Sequence, residues 1–217
     1  MHFLIFLGSV RQSTPPSPIR LGHRVALACE KYFIVNTTHS VEIVDPLDFE
    51  LERIFKPHFA YHKNKVPQNL DLLAQKIKNA DGYVMISPEY NHTISPALTN
   101  LLNHFGSSLF SYKPSAIVTY SAGQWGGARA AVSMRTFLSE LGCLPVSAMI
   151  HIPKAHEVFL ENGDLINNHE SWQNYIGRSF LQLEWWAQAT KELKQKLDPE
   201  KLTPSMKKDP SQRNAPQ

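Results

Sequence analysis

Cysteine is nearly absent from this chain: Cys29 and Cys143 are the only two in 217 residues, outside any Cys-x-x-Cys spacing. Their scarcity excludes a disulfide scaffold and predicts two buried free thiols in a reducing compartment. Long apolar runs are also missing. No stretch approaches the ~18 apolar residues of a membrane span. The apolar opening Phe3 to Leu7 has no basic lead-in and runs straight into Gly8-Ser9, so it reads as a first strand and not as a leader. A soluble cytoplasmic protein with no membrane partner is expected. Surplus charge is confined to residues 191–217, which hold seven Lys or Arg against four Asp or Glu, whereas residues 1–190 hold fifteen of each. A neutral body argues against nucleic acid as a partner, because the phosphate backbone calls for a basic face.

Several catalytic signatures are missing too. There is no Gly-Lys-Ser/Thr of a Walker loop, which argues against nucleoside triphosphate hydrolysis, and no Gly-x-Ser-x-Gly elbow of a serine hydrolase. His58 and His62 lie four apart, but no carboxylate or Cys completes a ligand set, so no metal is expected.

What is present is an alternation of short apolar runs and helical periodicities. Phe3–Leu7, Ser40–Val44, Gly82–Ile86, Ala116–Tyr120 and Val146–Ile152 read as strands. Ile19–Ile34, Asn69–Ala80 (Asn69 or Asp71 near its cap), a helix opened by Ser95-Pro96, about Gly127 to Leu141 (ended by Gly142) and Glu170–Leu197 read as helices. Five strands joined by right-handed helical crossovers make an α/β fold, a doubly wound five-stranded parallel sheet of the flavodoxin-like kind in three α/β/α layers. Residues 1–197 are expected to form one domain. Residues 198–217, rich in Lys, Pro, Ser and Gln, are expected to be a disordered polar tail. Pro46 to Pro67 is a long, apolar connection expected to pack as an irregular lid or a subunit contact.

Three strand-to-loop junctions carry the chemistry. The first strand opens into Gly8-Ser9-Val10-Arg11, the third into Ser87-Pro88-Glu89-Tyr90-Asn91-His92, and the fourth into Ser121-Ala122-Gly123-Gln124-Trp125-Gly126-Gly127. In an open α/β sheet the carboxyl ends of the strands form the ligand crevice, so the three loops are expected to converge there.

These three motifs, in this order and each after its own strand, resemble the NAD(P)H-dependent FMN reductase family, which includes azoreductase-, chromate-reductase- and quinone-reductase-type members. The resemblance covers about residues 3–190 and extends to Ser95-Pro96-Ala97-Leu98, Asn100 and Ala128-Arg129. It implies a flavoprotein oxidoreductase that uses NADPH or NADH to reduce bound FMN. The electrons then pass to a small acceptor: a quinone, free flavin, an azo dye or a metal oxyanion. The alternatives are a one-electron carrier and a flavodoxin-like binding or signalling module without turnover. The family commonly forms homodimers or homotetramers, and Trp172, Trp185 and Trp186 on the last helix are candidates for core or interface.

The resemblance places the flavin phosphate on Ser9, Arg11, Ser17 and Arg20, where a loop entering a helix offers unpaired N–H groups and the positive pole of the helix dipole. Ser13 and Thr14 are further hydroxyl donors. The loop from Gln12 to Pro18 is longer and richer in proline than the compact family form. The isoalloxazine falls to Pro88, Glu89, Tyr90 and Asn91; the alternative for Glu89 is a solvated loop carboxylate or a helix-cap partner, since the flavin chemistry needs no carboxylate base. Ser121, Gly123, Gln124, Trp125 and Gly126 complete the set, with glycine letting backbone N–H groups approach the ring. No side chain is assigned a catalytic role, because the flavin carries the chemistry.

Overall fold

A computed structural model describes residues 1–49, 51, 54–202 and 208. Its sheet is parallel throughout and runs β2 (Ser40–Val44), β1 (His2–Leu7), β3 (Gly82–Pro88), β4 (Pro114–Tyr120), with β5 (Leu144–Pro145) and β6 (Ile150–Ile152) both pairing with β4. The period-two alternation of buried strands divides the core into two faces. Phe3, Ile5 and Leu7 point with Val84, Ile86 and Val118 toward α1 (Leu21–Asn36) and α7 (His169–Lys196). Leu4, Phe6, Tyr83, Met85 and Ile117 face α2 (Gln68–Asn79), α3 (Pro96–Asn103), α4 (Ser107–Phe110) and α5 (Ala128–Glu140). Each fully buried apolar side chain stabilises this three-layer arrangement by about 2 kcal/mol. The Phe33 and Phe180 rings, 4.8 Å apart, fasten α1 to α7. Both cysteines are buried and free. Among the described residues no helix is long and apolar enough to cross a membrane.

The fifth strand departs from expectation. Where the apolar pattern predicts one strand over 146–152, two short strands flank a break, because side chains from neighbouring helices take over the backbone bonding there. Arg135 donates to the carbonyls of Val146 and Ser147, Ser179 donates to the Ala148 carbonyl, and the Gln182 side chain accepts from the Ala148 amide. The sheet position is conserved while the ladder is interrupted, so the five expected strands become six. α2 also starts differently: Pro67 precedes its first turn with no side-chain cap, and Asn69 accepts from the Leu70 amide inside the helix.

Among its described residues the 46–67 connection contains three 3-10 turns, Pro46–Asp48, His58–Ala60 and Lys63–Lys65. Residues 50, 52 and 53 of this connection lie outside the described residues. His58 anchors it, with its ring on Asp71 at 3.1 Å and its amide donating to the His104 carbonyl. Within the expected tail, Pro199–Leu202 forms a helical turn, α8. Residues 203–207 and 209–217 of the expected tail lie outside the described residues.

Candidate functional site

Adjacent registers bring the carboxyl ends of the central strands together: Leu7 pairs with Ile86, and Pro88 with Tyr120. The loops leaving them enclose a cleft of about 460 Å³. Ser9, Arg11, Ser17, Arg20, Pro88, Glu89, Tyr90 and Ser121 all line it, so the three junctions do converge.

The first loop is held tight against the sheet. Gly8 donates to the Ile86 carbonyl at 2.8 Å, and a side chain there would meet that oxygen at 2.5 Å. The chain then widens through the Pro-rich stretch and returns at Ile19-Arg20. Two contacts keep these residues out of the helix: the Arg20 amide donates to Ser13 Oγ, and Arg24 Nε donates to the Ile19 carbonyl. α1 accordingly starts at Leu21, two residues later than its apolar pattern predicts, with the His23 and Arg24 amides donating to the Arg20 carbonyl and no side chain capping its amino end. Arg20 is buried there, its Nη2 paired with Asp45 and its Nη1 directed at the Arg11 carbonyl at 3.4 Å. Its Nε is buried without a hydrogen-bond partner. A buried N–H in that state is costly unless something outside the chain accepts from it.

In the second loop, Tyr90 and Thr93 exchange backbone hydrogen bonds around Asn91 and His92, both left-handed at φ 48° and 64°. This is a tight turn that carries Asn91 away from the cleft wall. Glu89 resolves as the cap. Its carboxylate accepts from Arg129 Nε at 2.8 Å and from the Arg129 and Ala130 amides at the start of α5. Burial pushes its pKa up, but the guanidinium and the two amides outweigh that and hold it below the ordinary carboxylate value. Tyr90, partly exposed, accepts a hydrogen bond from Arg11 Nε at 3.3 Å across the cleft mouth. That bond keeps the Arg11 pKa above its ordinary value.

The third loop is organised by its own contacts. Ser121 Oγ donates to the Gly123 carbonyl and accepts from the Gly126 amide, and the Lys154 amide donates to the same Gly123 carbonyl. Gly126 and Gly127 are left-handed and close-packed on Pro153 and Thr119, so their glycine requirement comes from the protein's own backbone. Gly123, Gln124, Trp125 and Gly126 do not reach the cleft wall. Trp125 is 64% exposed beside the Arg129 guanidinium, and Gln124 is exposed. Gly123 differs from its neighbours: a Cβ there would meet nothing within 4 Å.

Several lining residues escaped the sequence pattern, among them Gln12, Arg24, Tyr120 and His156. Tyr120 ends β4 level with Pro88, a position that a register argument could have flagged. Its phenol lies over Gly22, where any Cβ would collide with the hydroxyl. Burial pushes the Tyr120 pKa up, with the Ser9 hydroxyl bonded to it pulling the other way. His156 arrives on α6 (Ala155–Val158), after β6, and no local motif announces it.

Comparison with known proteins agrees with this geometry. Residues 1–157 match the family model described as NADPH-dependent FMN reductase. The NADH:(hydroxy)cinnamate reductase subunit CrdA of Vibrio ruber is 34% identical over 112 residues, 49% of this chain and 55% of that protein. An NADPH azoreductase of a Bacillus species is 33% identical over 89 residues, 41% of this chain and 48% of that protein. The chain thus spans about half the length of these curated relatives. Among solved structures, the flavoenzyme NAD(P)H:(acceptor) oxidoreductase FerB of Paracoccus denitrificans has a TM-score of 0.65 at 18% identity, covering 86% of this chain and 97% of that one. RosB gives 0.64 at 16% identity, over 95% and 86%. At such identities the likeness establishes the fold.

Proposed function

Because the chain belongs to the family of NADPH-dependent FMN reductases, we propose that it is a flavoprotein oxidoreductase whose FMN lies in the carboxyl-edge cleft, phosphate toward α1. FMN, when bound, accepts a hydride from NADPH or NADH and passes the electron pair to a small acceptor such as a quinone, free flavin, an azo dye or a metal oxyanion. The observation that carries this reading is the unpartnered Arg20 Nε, buried at the amino end of α1, which no side chain caps. An anion there completes both. Ser9 and Ser17, on the same wall, add hydroxyl donors.

The remaining residues shape and orient. Pro88 and Tyr90 offer apolar surface to a flat ring system, and Glu89 ties their loop to α5 so that this surface is fixed before any ligand arrives. Gly123 leaves room beside the third loop that the chain itself does not use. The lining carboxylate Glu89 is committed to Arg129 and the α5 amides, which agrees with a reaction that asks the protein for geometry and not for a general base. The buried thiols suit a cytoplasmic enzyme, and the exposed Leu181, Trp185 and Trp186 on α7 supply apolar surface for a homodimer or homotetramer.

The test is a visible spectrum of the purified protein, followed by anaerobic bleaching with NADPH or NADH and re-oxidation by a simple quinone. Bleaching, recovery and parallel double-reciprocal plots are expected. A flavin-loaded protein that leaves both nicotinamides unoxidised would instead be a binding module without turnover.

A further inference from the structure

The outer face of α7, away from the cleft, is apolar where solvent would meet it. Leu181, Trp185 and Leu193 are each more than half exposed, and the Trp185 and Trp186 rings stack edge-on with centroids 4.8 Å apart. A shallow groove of about 580 Å³ runs beside Trp185, walled by Leu181, Gln188 and Ala189 on α7 and by Met1 and His39 next to it. Contiguous exposed apolar surface of this kind marks contact with another molecule.

This face is complementary to itself. Arg178, Trp185 and Glu192 are seven residues apart, so they lie on nearly one line along the helix, drifting by about 20° per step. Leu181 and Ala189 flank Trp185 at four residues on either side. A second α7 laid antiparallel, with a two-fold axis through Trp185, therefore sets Arg178 against Glu192, Leu181 against Ala189 and Gln182 against Gln188. Opposite charges meet, and a large side chain meets a small one. Arg178 and Glu192 are both exposed, and among the described residues neither has an oppositely charged partner. Neutral neighbours hold each in place: Arg178 Nη2 donates to the Met149 carbonyl at 3.1 Å with its guanidinium over the Tyr175 ring, and Glu192 accepts from Gln188 Nε2 at 2.6 Å. The register is specific. An axis through Ala189 would carry the partner of Arg178 to Glu200, beyond the end of α7, and would set Glu192 against Trp186.

We propose that α7 docks against α7 of a second copy of this chain, antiparallel about Trp185, with Arg178 of each protomer bound to the partner's Glu192. The pairing rests on the homo-oligomeric reading of this face and adds its register and its charges. Because a two-fold contact uses the same patch on both sides, the ion pair forms once at each end, and the apolar surface between them is covered.

The experiment is analytical sedimentation of the full chain over a dilution series, for the parent, for Arg178→Glu, for Glu192→Arg and for an equimolar mixture of the two variants. Each single variant sets like charges against each other at both ends of the contact, so its dissociation constant is expected to rise on the order of a hundredfold. Added salt should weaken association of the parent and strengthen that of the single variants. In the mixture one variant presents acids at both positions and the other arginines at both, which restores both pairs. Association between the unlike variants is therefore expected to return to within about threefold of the parent. That recovery also shows that both variants are folded. A parent that associates, with both single variants unchanged, would put the contact elsewhere and overturn the pairing while the homo-oligomer stands. Weakened variants that fail to recover on mixing would overturn it as well. A parent with the mass of one chain at every concentration overturns the pairing and the homo-oligomer together, and its co-sedimentation with anionic phospholipid vesicles would give the face to a membrane surface instead.

Discussion

The two edges of the sheet each open into a cavity lined by cations, about 460 Å³ at the carboxyl edge and about 320 Å³ at the amino edge, yet their polar groups are in opposite states. At the amino edge Lys113 is buried and donates to the carbonyls of Ile77, Lys78 and Leu109 at 2.6, 2.7 and 3.0 Å. It closes the carboxyl ends of α2 and α4, and burial pulls its pKa down to about 7. At the carboxyl edge Arg20 Nε is buried and unpartnered, and no side chain caps the amino end of α1 beside it. A cavity with positive charge is thus not a site by virtue of its charge. On the proposed reading, unused hydrogen-bonding capacity separates the edge that would bind from the edge that closes the fold.

The largest expected effect breaks the amino edge alone. Lys113→Met removes three hydrogen bonds at once, with Tyr83 Oη still reaching the Ile77 and Leu109 carbonyls, and should cost about 3 kcal/mol of stability, read by urea unfolding. FMN affinity should change by less than about twofold, because nothing at that edge contributes a charge-assisted bond to the ligand. Equal losses in both would erase the distinction. Next, Gly22→Ala pushes a methyl into the Tyr120 hydroxyl on the cleft side. Overpacking of that kind should cost about 2 kcal/mol, and FMN binding should weaken by about tenfold as the α1 first turn shifts, the scale of one charge-assisted hydrogen bond.

Glu89→Gln acts on the scaffold of the cleft and sharpens the comparison through pH. Loss of the charged cap should cost about 1 kcal/mol at neutral pH. The Glu89 pKa is depressed in the folded state, so its contribution is complete above the unfolded value of about 4.3 and disappears as pH falls through the depressed value. The stability gap between parent and variant, measured by thermal melts, should therefore be constant from about pH 5 upward and close in acid. A gap that widens in acid would contradict the cap. The smallest stability effect belongs to Gly123→Ala, where a Cβ meets nothing within 4 Å. The variant should stay within about 0.5 kcal/mol of the parent in thermal melts.

Much of this arrangement was legible in the chain. The apolar runs gave β1, β3 and β4 to within two residues at either end, because strands covered on both faces read as unbroken hydrophobic stretches. β5 and β6 were not separable in this way. The break between them is made by Arg135, Ser179 and Gln182, which reach it from two helices, and an apolar run records burial but not who supplies the hydrogen bonds. The glycines of the third loop illustrate a second limit. A left-handed turn packed on Thr119 and a close approach of ligand ask for the same residue, and Gly127 turns out to serve the first. Glu89 carried two readings because a loop carboxylate shows its partner only when α5 is placed beside it. Tyr120 was hidden for the opposite reason, since a strand-end tyrosine looks like core until the neighbouring strand ends are aligned with it.

The most direct test of the carboxyl-edge assignment is amide hydrogen exchange of the protein with and without saturating FMN. Slowed exchange is expected in the segments around Gly8–Arg24, Pro88–Thr93 and Ser121–Gly127, with the Ser108–Lys113 segment at the amino edge unchanged. Protection confined to the amino edge, or no protection in the three loops despite bound flavin, would contradict the account.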